Sequence, residues 1–241
     1  MGGGFTDGRF TATMERLDIT KPDAQWTTCA PMSVARVFLG AASVKGFLYA
    51  LGGRNATGAE IKTVERYDPA TDAWIVCTPM RTAVEDYAAV ALNDHIYVLG
   101  GVVTRGRRIM RVADVNRYDP VTDTWTTCAP MRNERQAIAA AVINGSIIVA
   151  GGFIDGSEPL ATVERYDAAT NTWSACAPMP TARGNVAGCA VGTSFYVLGG
   201  TETIGNTVML ATVERYDADA DRWEACPPMP TGRCFFGSTA W

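Results

Sequence analysis

Short apolar runs alternate with turn-forming residues along the chain. The first clear example is Val37 to Val44 followed by Phe47 to Leu51, with Lys45-Gly46 between them. Two apolar runs joined by two residues that tolerate positive φ predict a tight antiparallel hairpin. The same arrangement returns with turns at Asn93-Asp94, Asn144-Gly145 and Gly192-Thr193. We therefore predict a strand A and a strand B in each of these hairpins.

A second pattern accompanies the hairpins. A double glycine is followed by a segment such as VERYD, then by a tryptophan and a Pro-Met pair. The repeat tryptophans are Trp26, Trp74, Trp125, Trp173 and Trp223, and they lie 48, 51, 48 and 50 residues apart. A fixed period near fifty predicts a repeat architecture, in which each unit buries its apolar faces against its neighbours.

Each unit is long enough for four short strands. The VERYD segment predicts strand C, and the residues from the tryptophan to Pro-Met predict strand D, with turns such as residues 68–72 between them. Four antiparallel strands repeated radially form a blade of a β-propeller, so the predicted fold class is all-β. We predict one domain over residues 1–241, with complete blades at 33–80, 81–131, 132–179 and 180–229.

The fifth blade is predicted to be composite. Residues 1–32 supply its strands C and D, and residues 230–241 supply its strand A, over Cys234 to Trp241. Joining the two ends leaves this blade about five residues short, so most of its strand B is missing. A closed ring leaves no end sheet unpaired, and we expect a five-bladed ring. A piece of a longer propeller is the alternative.

These landmarks resemble kelch repeats over nearly the whole chain. The double glycine, the Tyr-Asp pair, the tryptophan and Pro-Met recur in order, and only the first copy departs, with Leu17 in place of tyrosine and a longer turn at 21–23. Propellers of this family usually have six blades. Resemblance to the kelch domains of BTB-kelch ubiquitin-ligase adaptors implies a binding module for a protein or peptide, without enzyme activity.

The loops at one end of the predicted propeller carry the candidate site. The B–C loops vary in length, and alternation of strand direction places them beside the D–A loops, where binding function is usually found. Arginine is concentrated in these loops, whereas the opposite turns are acidic, so a net charge of −4 conceals a basic end. The candidate ligand-binding residues are Arg36, Arg54, Tyr87, Arg105, Arg107, Arg108, Arg135, Arg183, Asn185 and Arg233.

Arginines in such a position favour an acidic peptide or another carboxylate-bearing ligand. A structural role is the alternative for four of them, because Arg36, Arg135, Arg183 and Arg233 occupy one equivalent repeat position. Nucleic acid is a weaker option, since the overall charge opposes non-specific phosphate binding.

Other chemistries find little support in the sequence. His95 is the only histidine and no CxxC pair occurs, so we expect no metal and no cofactor. Galactose oxidase has a similar propeller, but its copper chemistry needs histidines that are absent here. Two alternatives to a binding module stay open: a sugar-processing propeller like the sialic acid mutarotases, and a structural fragment of a larger protein.

The cysteines and the apolar runs bear on compartment. Five cysteines each lie three residues after a repeat tryptophan, at equivalent sites too far apart for disulfides. We expect buried, reduced thiols. No apolar run reaches the roughly 20 residues that cross a bilayer. We therefore expect a cytoplasmic monomer that does not bind membranes.

Overall fold

A computed structural model describes residues 2–154, 158–205 and 208–238, and everything regular in these ranges is β-structure. Sheet I contains β1 (Gly2–Thr6), β2 (Arg9–Arg16) and β3 (Thr27–Cys29). Sheet II contains β5 (Gly40–Val44), β6 (Phe47–Leu51), β8 (Val64–Asp68) and β9 (Ala73–Cys77). Sheet III contains β10 (Ala88–Leu92), β11 (His95–Leu99), β14 (Val115–Asp119) and β15 (Thr124–Cys128).

Two further four-stranded sheets follow the same order. Sheet IV contains β16 (Ala139–Ile143), β17 (Ser146–Ala150), β18 (Val163–Asp167) and β19 (Thr172–Cys176). Sheet V contains β20 (Ala187–Val191), β21 (Ser194–Leu198), β22 (Val213–Asp217) and β23 (Arg222–Cys226). Two small ribbons complete the strands: β4 (Arg36–Val37) with β7 (Arg54–Asn55), and β12 (Val102–Arg105) with β13 (Arg108–Arg111).

The antiparallel sheets are the blades of a β-propeller, as the sequence predicts. In sheet II the hairpin register pairs Val44 with Phe47, so Lys45 and Gly46 form the two-residue turn, both with positive φ. Each four-stranded sheet is a meander of strands A, B, C and D. The described residues contain no helix with the length and apolar character needed to cross a membrane.

Strand A begins later than the sequence suggests. The expected start of the first strand A at Val37 is wrong, because β5 begins at Gly40. The reason is Phe38, whose φ of 54° turns the chain out of the extended conformation. Phe235 has the same φ, and residues 234–238 form no strand. The rest of the composite blade's expected strand A, residues 239–241, lies outside the described residues.

Hydrogen bonds, here called inter-blade latches, join each of sheets II, III, IV and V to the sheet before it. The carboxylate of Asp123 accepts from the Tyr118 hydroxyl at 2.6 Å and from the backbone N–H of Thr78, in the preceding blade, at 2.8 Å. The indole of Trp125 donates to the Thr78 carbonyl at 3.0 Å. The same three-way contact uses Asp72 with Ala30, Asn171 with Ala129, and Asp221 with Ala177. These turn residues therefore hold blades together as well as forming turns.

The apolar core lies between neighbouring sheets. Tyrosines from successive blades meet edge to face, as Tyr49 and Tyr118 do with ring centroids 6.0 Å apart. Each tyrosine of strand C also packs on its own tryptophan, and Tyr118 and Trp125 have centroids 5.1 Å apart. Aromatic contacts of this kind add to the free energy gained by burying apolar area.

The boundary between sheet V and sheet I, hereafter the open joint, differs from the other four boundaries between neighbouring sheets. Val191 of β20 is 52% exposed, whereas its equivalents Val44, Leu92 and Ile143 are buried. Trp26 is exposed as well, and Pro227 stands where Ala30 and Thr78 donate a backbone N–H to the next blade. Proline has no N–H to donate. Within the described ranges, no latch joins these two sheets.

Candidate ligand-binding end of the propeller

The five D–A corners have one backbone geometry in common. Each places a non-glycine residue at a φ of 53° to 56°; these residues are Phe38, Asp86, Ala137, Asn185 and Phe235. Three hydrogen bonds link four of these corners, from Asp86 to Phe235, in series. The Ala137 N–H donates to the Asp86 carbonyl at 2.8 Å, the Asn185 N–H to the Ala137 carbonyl at 2.9 Å, and the Phe235 N–H to the Asn185 carbonyl at 3.4 Å. The corners thus surround the mouth of the central channel.

The mouth is a cavity of about 360 Å³ with mainly apolar walls. Leu39, Ile138 and Val186 line it, together with Phe38 and Phe235, which are 52% and 65% exposed. Farther along the A strands the channel is lined by small side chains such as Ala89 and Ala140. The described lining of the mouth has a single charged side chain, that of Asp86.

The pKa of Asp86 is raised to about 6, chiefly by burial and also by the neighbouring Glu85, while Arg54 acts in the opposite direction. The ordinary value is 3.8, so the folded protein binds this proton more tightly than the unfolded chain does. The ionised carboxylate therefore lowers stability above pH 6, and the penalty vanishes as the pH falls towards 4.

Asp86→Asn is expected to raise the free energy of unfolding by about 1 to 2 kcal/mol at pH 8, because it removes the desolvated charge. Asn185 already occupies the equivalent corner, so the backbone accepts asparagine. Urea unfolding at pH 8 and pH 4.5 measures the effect, and the gain should shrink at the lower pH. A variant less stable at both values would show that the carboxylate is needed structurally.

Three of the candidate arginines are buried and ion-paired. Arg36, Arg135 and Arg183 are fully buried, and their partners are Glu65, Glu164 and Glu214 of the same blades' C strands. Burial lowers the pKa of each guanidinium, and the paired glutamate opposes that shift.

Arg135 shows what this arrangement does. Its guanidinium also donates to the carbonyls of Gly151 at 3.2 Å and Thr162 at 3.1 Å, which closes the B–C loop onto the D–A corner. These three arginines hold the loops in place. The expectation that they contact a ligand is corrected by their burial, and the structural alternative describes them.

Three other candidates are also held by the fold. Arg54 forms an ion pair with Glu85 of the next blade and donates to the Gly58 carbonyl at 2.6 Å. The Tyr87 hydroxyl accepts from the Gly40 N–H at 2.9 Å and donates to the Leu51 carbonyl at 2.5 Å, although its ring lines the mouth. The buried Asn185 amide donates to the Thr201 hydroxyl at 3.0 Å. The polar groups of these residues are engaged within the protein.

The remaining candidates are exposed arginines. Arg105, Arg107 and Arg108 lie on the ribbon of β12 and β13, hereafter the arginine ribbon, and within the described ranges none of the three has a carboxylate partner. Arg233 is exposed too, although its equivalents Arg36 and Arg135 are buried. Ile109 on the same ribbon is 63% exposed. Among the candidate residues, the exposed basic side chains without an ion pair in the described structure are therefore those of this ribbon and Arg233.

The root of the arginine ribbon is fixed to the corner that carries Asp86. Glu85 and Val102 exchange two backbone hydrogen bonds, of 3.1 and 2.8 Å. Gly101 makes this approach possible, since a Cβ there would lie 2.5 Å from the Glu85 carbonyl oxygen. The Thr104 N–H also donates to Glu60 of the preceding blade at 3.1 Å. The ribbon and the mouth are thus parts of one surface.

No group of His, Cys, Asp and Glu suited to a metal ion occurs among the residues that the structure describes. The five repeat cysteines are free; Cys29 and Cys77 are buried, and Cys128, Cys176 and Cys226 are half-buried. Their predicted reduced state agrees with this, but burial is complete only for the first two.

Comparison with known proteins places this fold in a family. The family model described as Kelch motif matches residues 35–81, 85–132, 134–180 and 182–230. Kelch-like protein 25 of Xenopus tropicalis is 30% identical over 136 residues, which cover 53% of this chain and 23% of that protein. The chain thus spans about a quarter of the length of that curated relative.

A solved structure described as "Structure of YjhT" superposes with a TM-score of 0.85. It is 17% identical, and the alignment covers 99% of this chain and 83% of that one, so the likeness concerns the fold alone. Four consecutive motif matches cover most of the sequence. The chain belongs to the kelch-repeat family, and its fold is a β-propeller.

Proposed function

We propose that this propeller binds a protein or peptide at the end formed by the B–C and D–A loops, and that the arginine ribbon contacts acidic residues of the ligand. The observation that supports this most is the ribbon itself. It exposes Arg105, Arg107 and Arg108 without carboxylate partners in the described structure, next to the exposed side chain of Ile109.

The chemistry of the arginine ribbon suits such a ligand. A guanidinium offers donors in a fixed fork that fits a carboxylate, and exposed arginines also increase the rate of encounter with an acidic partner. Ile109 and Met110 supply apolar area that a partner would cover. β13 is an edge strand of the ribbon, to which an extended peptide can add as a further strand.

The sugar-processing alternative needs arginines and acids free in a pocket. Arg36, Arg135 and Arg183 are instead buried against glutamates, which favours the binding module. NMR measurement of sugar anomerisation tests the alternative directly. Saturable acceleration that disappears on substitution of residues in the mouth would contradict the binding proposal.

Reversing the charge of the arginine ribbon tests the proposal. The triple variant Arg105→Glu, Arg107→Glu, Arg108→Glu should reduce the affinity for captured partners by about 30-fold or more, because three attractive contacts become repulsive. Immobilised wild-type and variant propellers would be compared for proteins retained from lysate, followed by titration of each purified partner.

The matched control changes the same amount of charge at the opposite end. Arg16, Lys45 and Arg222 are exposed there, and replacing all three by glutamate should leave partner capture intact. Equal loss in both triple variants would indicate a non-specific charge effect. Loss in the control alone would place the ligand at the opposite end of the propeller.

A further inference from the structure

The carboxylate of Asp86 is not required for the structure of its corner. The other four corners achieve the same φ with Phe38, Ala137, Asn185 and Phe235, so the turn does not need an acid. The corner's hydrogen bond to the next blade uses the Asp86 backbone carbonyl. In the part of the chain that the structure describes, no hydrogen bond or ion pair reaches its side-chain oxygens, and a desolvated carboxylate without a partner is costly.

The surroundings of Asp86 resemble a receptor for a cation. Phe38, Phe235, Phe236 and Tyr87 line the same cavity, and an aromatic face attracts an ammonium or guanidinium group. Phenylalanine is rare at positive φ, which makes Phe38 and Phe235 backbone outliers. Strained residues with exposed side chains collect at binding sites more than elsewhere.

We propose that the mouth binds a lysine or arginine side chain of the ligand peptide. The charged group would pair with the Asp86 carboxylate, and the aliphatic stem would lie against Leu39 and Ile138. This inference rests on the proposed function, since it assigns a second contact to the same ligand. It predicts that the ligand contains a lysine or arginine, which binds in the mouth and is called the basic anchor, in addition to the acidic residues that contact the arginine ribbon.

The distance between Asp86 and the tip of the arginine ribbon sets the expected spacing between the basic and acidic residues of the ligand. Glu85, the residue before Asp86, is bonded to Val102 at the ribbon's root, and β12 extends four residues from there. At about 3.4 Å per residue, the three intervals from Val102 to Arg105 place the ribbon's tip about 10 Å from its root. An extended peptide covers that distance with about four residues. The basic anchor and the acidic residues should therefore be about four to six positions apart.

Selection from a displayed library of random twelve-residue peptides tests this inference. The three baits are the wild type, Asp86→Asn and the triple glutamate variant of the arginine ribbon, at pH 7.5 and low salt. The wild type should enrich, at least threefold, peptides that contain one Lys or Arg and acidic residues four to six positions away on either side of it. Asp86→Asn should lose the basic enrichment and keep the acidic one.

The outcomes separate the two proposals. If the ribbon variant loses only the acidic enrichment and Asp86→Asn loses only the basic one, the ribbon contact and the mouth contact are both supported. If acidic enrichment is absent from the wild type or survives in the ribbon variant, the proposed function fails. If basic enrichment is absent from the wild type or survives in Asp86→Asn, the cation site is overturned. Thermal unfolding of each bait verifies that it is folded, and Asn185 shows that asparagine fits such a corner.

Discussion

Arg135→Met is expected to lower the free energy of unfolding by about 3 to 5 kcal/mol. The substitution removes a buried guanidinium and leaves Glu164 as an unpaired charge inside the blade. It also frees the carbonyls of Gly151 and Thr162 from their side-chain donor. Urea denaturation followed by tryptophan fluorescence would measure the change.

Two controls separate the ion pair from other effects. Arg132→Met alters an exposed arginine three residues earlier and should change stability by less than about 0.5 kcal/mol. Replacing Arg135 by methionine together with Glu164 by leucine should recover much of the loss, since no charge is then left buried. A single variant as stable as the wild type would contradict the burial of this pair.

Trp125→Ala is expected to cost about 3 to 5 kcal/mol, as other large-to-small changes in a core do. The indole is buried, packs on Tyr118 and donates to the Thr78 carbonyl of the preceding blade. Its loss therefore opens a cavity and breaks one inter-blade latch. Calorimetry of the purified variants would give the change in stability.

The chain offers a matched control for this substitution. Trp26 holds the same repeat position in sheet I but is exposed, so Trp26→Ala should cost less than about 1 kcal/mol. Equal losses at the two positions would mean that sheet I packs against another sheet in solution. That result would contradict the open joint between sheets V and I.

The fold could be predicted because its determinants recur locally. Turn residues such as Asn144-Gly145 fix the hairpins, and the spacing of the tryptophans fixes the blade. The start of strand A could not be predicted, because the positive φ at Phe38 and Ala137 occurs at residues that seldom adopt it. Composition gives no sign of such a corner.

The candidate site was harder to predict, since the exposure of an arginine depends on whether it forms an ion pair with a residue of another strand in its blade. Arg135 lies on the D–A corner and Glu164 on strand C, and the two meet only when the whole blade has folded. A signal did exist. In the repeat where Val84 replaces the arginine, Asn116 replaces the glutamate, so the two positions change together. Asp86 gave no such signal, because its importance arises from the apolar walls that other blades place around it.

Hydrogen–deuterium exchange tests most directly whether ligands bind at the end formed by the B–C and D–A loops. The protein would be measured alone and with a peptide from the wild-type selection. Binding at this end should slow exchange in residues 84–88 and 102–111 and leave residues 68–73 and 119–124 of the opposite turns unchanged. Protection confined to those opposite turns would show that ligands bind at the other end of the propeller.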